Sequence, residues 1–115
     1  MTKNSDITQI LIGNRQYSVS LLDDHDFVIY LQQCNCDIDA INDVKSFIDY
    51  DDQVICVREK LKNDHRQELI LHELLHACLE DSGIIQNDAT ESFIRALSPR
   101  LSSLLSNKDF QKIVL

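Results

Sequence analysis

Short β-type runs occupy the first half of the chain and helical spacing the second, with the change of period just after residue 58. Residues 7 to 12 (ITQILI) and 16 to 22 (QYSVSLL) are rich in β-formers. Gly13-Asn14 between them tolerates positive φ, so the three segments predict an N-terminal hairpin. Gln53 to Arg58 (QVICVR), bounded upstream by Asp51-Asp52, predicts a strand over 53–57. Between these lies Asp23 to Ser46, where the apolar run Phe27-Val28-Ile29-Tyr30-Leu31 gives way to polar and acidic residues. Its period fits neither template and fixes no element.

From Asp64 the spacing becomes helical. Asp64 with Gln67 three residues on forms a capping-box pattern and Gly83 is a stop, which predicts a helix of about five turns over about 65–81. Asp88 followed by Glu91 opens a second helix, over about 89–106, whose apolar positions Phe93, Ile94, Leu97, Leu101, Leu104 and Leu105 keep helical spacing. Pro99 should kink it or split it in two. A short terminal helix over 109–115 follows. The first of these helices is apolar around almost its whole circumference (Leu69, Ile70, Leu71, Leu74, Leu75, Ala77, Cys78, Leu79), the mark of a helix buried in the middle of its domain. The expected fold is α+β: a small antiparallel sheet, made of the hairpin and the strand at 53–57, packed on the long helix, with the C-terminal helices covering its other side.

Composition narrows the class. A chain of 115 residues supports one core, and 43% hydrophobic residues with two Gly and one Pro suit a compact globular domain without repeats or linkers. No run approaches the ~20 apolar residues of a membrane span. The segment MTKNSDITQ lacks the basic region and apolar core of a signal peptide, so a soluble, cytoplasmic protein is expected. A net charge of −8 would repel a polyanion, which argues against a nucleic-acid partner. Four cysteines (Cys34, Cys36, Cys56, Cys78) without an export signal read as reduced thiols. Their spacing does not suit a zinc site, and Cys56 and Cys78 read as small buried hydrophobes. Asp37-x-Asp39 suggests a calcium loop, but the sixth and twelfth positions hold Asn42 and Ile48 where Gly and Glu are required, so a solvated acidic loop is preferred.

The chemistry concentrates in His72-Glu73-Leu74-Leu75-His76. Two histidines four positions apart lie ~40° apart around a helix and ~6 Å apart along it, so both imidazoles can bind one zinc ion. Glu73, one step round, stands beside the metal, where its carboxylate can act as general base on a zinc-activated water. Chance alone gives HExxH in on the order of half a per cent of shuffled sequences, so its place on a capped helix after a strand matters. A catalytic zinc needs a third protein ligand. The longer HExxHxxGxxH pattern fails, because Leu79 and Ser82 stand at its glycine and third histidine. Glu80 is a turn too far. Glu91, at the start of the next helix, is the first choice, unless it serves only the capping box opened by Asp88; Asp88 and Asp81 are lesser candidates. His65 lies two turns before His72, and His25 is remote in sequence, so neither is assigned a role.

The segments IDYDDQVICVREKL and LILHELLHACLEDSGI, followed by ESFIRALSPRLSSLLSNKDF, resemble the small HExxH proteins of phages and prophages, compact relatives of the ImmA/IrrE-type metallopeptidases. The resemblance runs from the hairpin to the C-terminus and is most specific from Ile48 to Phe110; the stretch Asp23 to Ser46 is longer than the pattern requires. It implies a minimal zincin-like domain with His72, His76 and Glu91 as zinc ligands and Glu73 as base. It further implies hydrolysis of a peptide bond in a protein or peptide substrate, such as a host or phage regulatory protein. If the strand at 53–57 edges the cleft, an extended substrate could pair with it. The rival expectations are a non-catalytic accessory protein with a structural zinc on the same fold, and a metal-free helical adaptor.

Overall fold

The computed structural model describes residues 7–34 and 43–114. In chain order these form β1 (Ile7–Ile12), β2 (Arg15–Leu22), α1 (Asp24–Gln33), β3 (Ser46–Asp49), β4 (Val54–Arg58), α2 (Asn63–Asp81), α3 (Asp88–Leu105) and α4 (Lys108–Val114). Cys36, the Asp37-x-Asp39 pair, Asn42 and the terminal Leu115 lie outside the described residues.

The expected α+β fold is present, with a sheet that differs from expectation. The order is β1-β2-β4-β3; β1–β2 and β3–β4 are antiparallel, but β2 and β4 run parallel, so the sheet is mixed. The hairpin forms as predicted. Ile12 faces Arg15 across a two-residue turn in which Gly13 takes φ +58°, the sign a type II′ turn needs at its first position. The strand at 53–57 is not an edge. β4 lies between β2 and β3 with Ile55, Cys56 and Val57 all fully buried, so it has no free side for a substrate strand.

Alternation along the strands separates two cores. Tyr17, Val19, Ile55 and Val57 point to one face and pack on Ala77 of α2, with Ile48, Leu69 and Leu74 around them. Cys56 and Phe47 point to the other face and meet Phe27 and Leu31 of α1, the helix formed by the apolar run whose period fixed no element. Asp23 caps α1 through Asp26 N (2.9 Å), and Arg58 of β4 clamps it by bonding Asp24 (3.0 Å) and lying over the Phe27 ring (4.4 Å). None of the described helices is long and apolar enough to cross a membrane.

α2 carries Glu73 and Ala77 as its only buried residues, so it is half-buried rather than enclosed; Cys78 is exposed, contrary to its expected burial. Its N-cap is Lys62, without a side-chain bond. Gln67 turns instead to α3, accepting from Ser102 Oγ at 3.0 Å. The C-terminus closes on Gly83 (φ +74°) as a Schellman motif, with Gly83 N donating to Glu80 O and Ile84 N to Leu79 O, both at 3.1 Å. α3 runs unbroken through Pro99, which does not split it. Its inward stripe is Glu91, Ile94, Ser98 and Ser102, while the predicted apolar positions Phe93, Leu104 and Leu105 are exposed. Ile94 and two serines, rather than large residues, form the buried line between α3 and α2.

Candidate metal centre

Two capped helix ends set the geometry. The reversal at Gly83 sends the chain back so that α3 lies against α2, with Gln67 opposite Ser102 at one end and His76 opposite Glu91 at the other. Because Glu91 belongs to the same stripe as Ile94 and Ser98, its carboxylate points at α2. His76 Nε2 lies 2.8 Å from Glu91 Oε1 and His72 Nε2 lies 3.3 Å from Glu91 Oε2, so the two imidazoles converge on opposite oxygens of one carboxylate. The rings stand 4.9 Å apart at 62°. His72, Glu73 and His76 each offer a ligand atom within 4.8 Å of the others.

The capping alternative for Glu91 does not hold. The N-cap of α3 is Asn87, one residue earlier than Asp88: its side chain accepts from Ala89 N (3.0 Å) and Thr90 N (3.1 Å), and Thr90 Oγ1 accepts from Asn87 N (2.7 Å). That reciprocal pair leaves the Glu91 side chain to the histidines and to Arg95, whose Nε donates to Oε2 at 3.1 Å. Burial is the largest influence on Glu91 and disfavours its charge. The Arg95 hydrogen bond and the two imidazoles together outweigh it and hold the carboxyl below its usual range.

Glu73 is in the opposite condition. It is 6% exposed, and burial pushes its carboxyl pKa up; a bond from Ser46 Oγ to Oε2 (2.7 Å) and the neighbouring histidines pull the other way without cancelling it, while Glu91 adds repulsion. An open cleft beside it, of about 550 Å³, is lined by Lys45, Ser46, Glu68, His72, Glu73 and Arg95 among others.

Of the remaining candidates, Asp81 sits with its carboxylate against the hairpin turn at Gly13, and Asp88 and Glu80 are exposed outside the cluster. His65 stays two turns away on α2, and His25 is on α1, across the sheet. Three residues of the site were not foreseen. Ser46 comes from β3, which the sequence did not reveal. Arg95 was detectable as the i+4 partner of Glu91. Gln86, in the link before α3, contacts the His76 ring, and nothing in its sequence context marks it. Comparison with protein-family models, with curated proteins and with solved structures returns no match.

Proposed function

We propose that the protein is a zinc-dependent peptide hydrolase in which His72, His76 and Glu91 hold the ion and Glu73 is the general base. The observation that carries this reading is the meeting of two Nε2 atoms on one carboxylate from another helix, with the capping work done by Asn87 and Thr90. Two imidazoles and a carboxylate are a donor set that catalytic zinc uses. Zinc bound there would supply Lewis-acid activation of water and of the substrate carbonyl. Glu73, buried and held by Ser46, takes the proton of the attacking water and passes it to the leaving amine. Arg95 keeps Glu91 charged and oriented. Among the described strands the outer ones are β1 and β3, and β3 is the one that brings a residue to the site, so a substrate strand would align there rather than along β4.

The resemblance to phage and prophage HExxH proteins of the ImmA/IrrE type supports the same reaction class and suggests a host or phage regulatory protein as substrate. The test combines zinc analysis with cleavage of candidate proteins. Glu73→Gln should retain zinc and lose turnover, whereas His72→Ala should lose both. A wild-type protein that binds partners with zinc in place and unchanged affinity in Glu73→Gln, yet cleaves none of them, would instead support the accessory-protein reading.

A further inference from the structure

The link between α2 and α3 sends one side chain back into the site. Gln86 is fixed between the Schellman closure at Ile84 and the cap at Asn87, and its amide lies on His76. The backbone carbonyl of His76 can only accept, so the amide atom 3.4 Å from it is the NH2 group, and the amide oxygen is the atom facing His76 Nδ1 at 2.5 Å. That oxygen cannot donate, so in this pairing Nδ1 is the donor. The nitrogen left for a cation is Nε2, the one already turned to Glu91. On its far side the Gln86 NH2 donates to the Tyr50 hydroxyl at 3.0 Å, just past the end of β3.

We infer that Gln86 is the positioning residue of the metal centre: it fixes the tautomer and orientation of His76, and Tyr50 ties that arrangement to the end of β3. The inference rests on the zinc reading above. It gives β3 two tasks, since Ser46 at its start holds Glu73 while Tyr50 beyond its end holds the partner of a ligand. Partners of this kind orient metal-bound histidines, and their loss typically costs about 10–100-fold in metal affinity.

The experiment measures zinc dissociation constants by competition with a chromogenic chelator for wild type, Gln86→Met, Gln86→Glu, Tyr50→Phe and His72→Ala, with metal-free thermal unfolding as the folding control. Gln86→Met should weaken zinc about 10–100-fold. Gln86→Glu, which keeps an acceptor, should lose less, and Tyr50→Phe should fall between wild type and Gln86→Met. A second readout needs no variant: long-range ¹H–¹⁵N correlation of the zinc-loaded wild type should show His76 protonated at Nδ1. Wild-type affinity in Gln86→Met overturns the inference while leaving the zinc site standing; a proton on Nε2 of loaded His76 overturns both the inference and ligation through Nε2. Zinc affinity unchanged in His72→Ala overturns the site itself and the inference with it.

Discussion

Replacing Glu73 by Gln should make the metal-free protein more stable at neutral and higher pH, although the same change should abolish turnover. Glu73 is 6% exposed and receives a bond from Ser46. Gln can accept that bond, so the substitution removes the buried charge and little else. Poorly solvated buried polar groups cost about 1–3 kcal/mol, more when charged. With the two histidines offsetting part of this, the variant should gain about 1–2 kcal/mol at about pH 8, or very roughly 4–8 °C in Tm for a chain of this size. The pH dependence follows from the raised pKa. The folded state holds the Glu73 proton more tightly than the unfolded state does, so its contribution is fully present below the ordinary glutamate range and is lost as pH rises through the raised value. Urea unfolding of both chelator-treated proteins at about pH 4 and about pH 8 should therefore show a gap at the higher pH that closes at the lower. Added zinc should narrow it too, because a dication favours the charged carboxylate. A wild type more stable than the variant at the higher pH without metal would refute this reasoning.

Three further outcomes can be checked on the same preparation. Gly13→Ala places a side chain at φ +58° against the Asp81 carboxylate and should cost about 1–2 kcal/mol by urea unfolding. The Tyr17 hydroxyl is fully buried and has no hydrogen-bond partner among the described residues, so Tyr17→Phe should leave stability unchanged or raise it by up to ~1 kcal/mol. Burial pushes the Cys56 thiol up to about 12, with lesser repulsion from Cys34 and Asp49. Mass mapping after mild alkylation should therefore find Cys34 and Cys78 modified and Cys56 intact until the protein unfolds.

The N-terminal hairpin and the HExxH helix were legible because their signals are local. The His72/His76 spacing, the Gly83 stop and the Gly13-Asn14 turn depend on neighbours within a few residues, and each appears where its chemistry demands. Pairing was not local. The parallel join of β2 to β4 requires α1 and β3 to cross between them, and β3 is only four residues long. The continuous apolar run Val54-Ile55-Cys56-Val57 is itself the sign of a strand covered on both faces, whereas its place between β2 and β3 depends on pairing that no local pattern carries. The start of α3 shifted by one residue because Asn87 and Asp88 are both good caps. Thr90 decided it by completing the bonds of Asn87, which also released Glu91 for the site. The apolar residues of α3 misled because it packs on α2 through Ile94 and two serines, a choice that only the partner helix reveals.

The zinc assignment meets its most direct test in a crystal structure grown with excess zinc and anomalous data at the zinc edge. One strong peak is predicted among His72 Nε2, His76 Nε2 and the Glu91 carboxylate, about 2.0–2.2 Å from each, with Glu73 beside the ion rather than on it. A carboxylate still bridging two metal-free rings under those conditions would contradict the account.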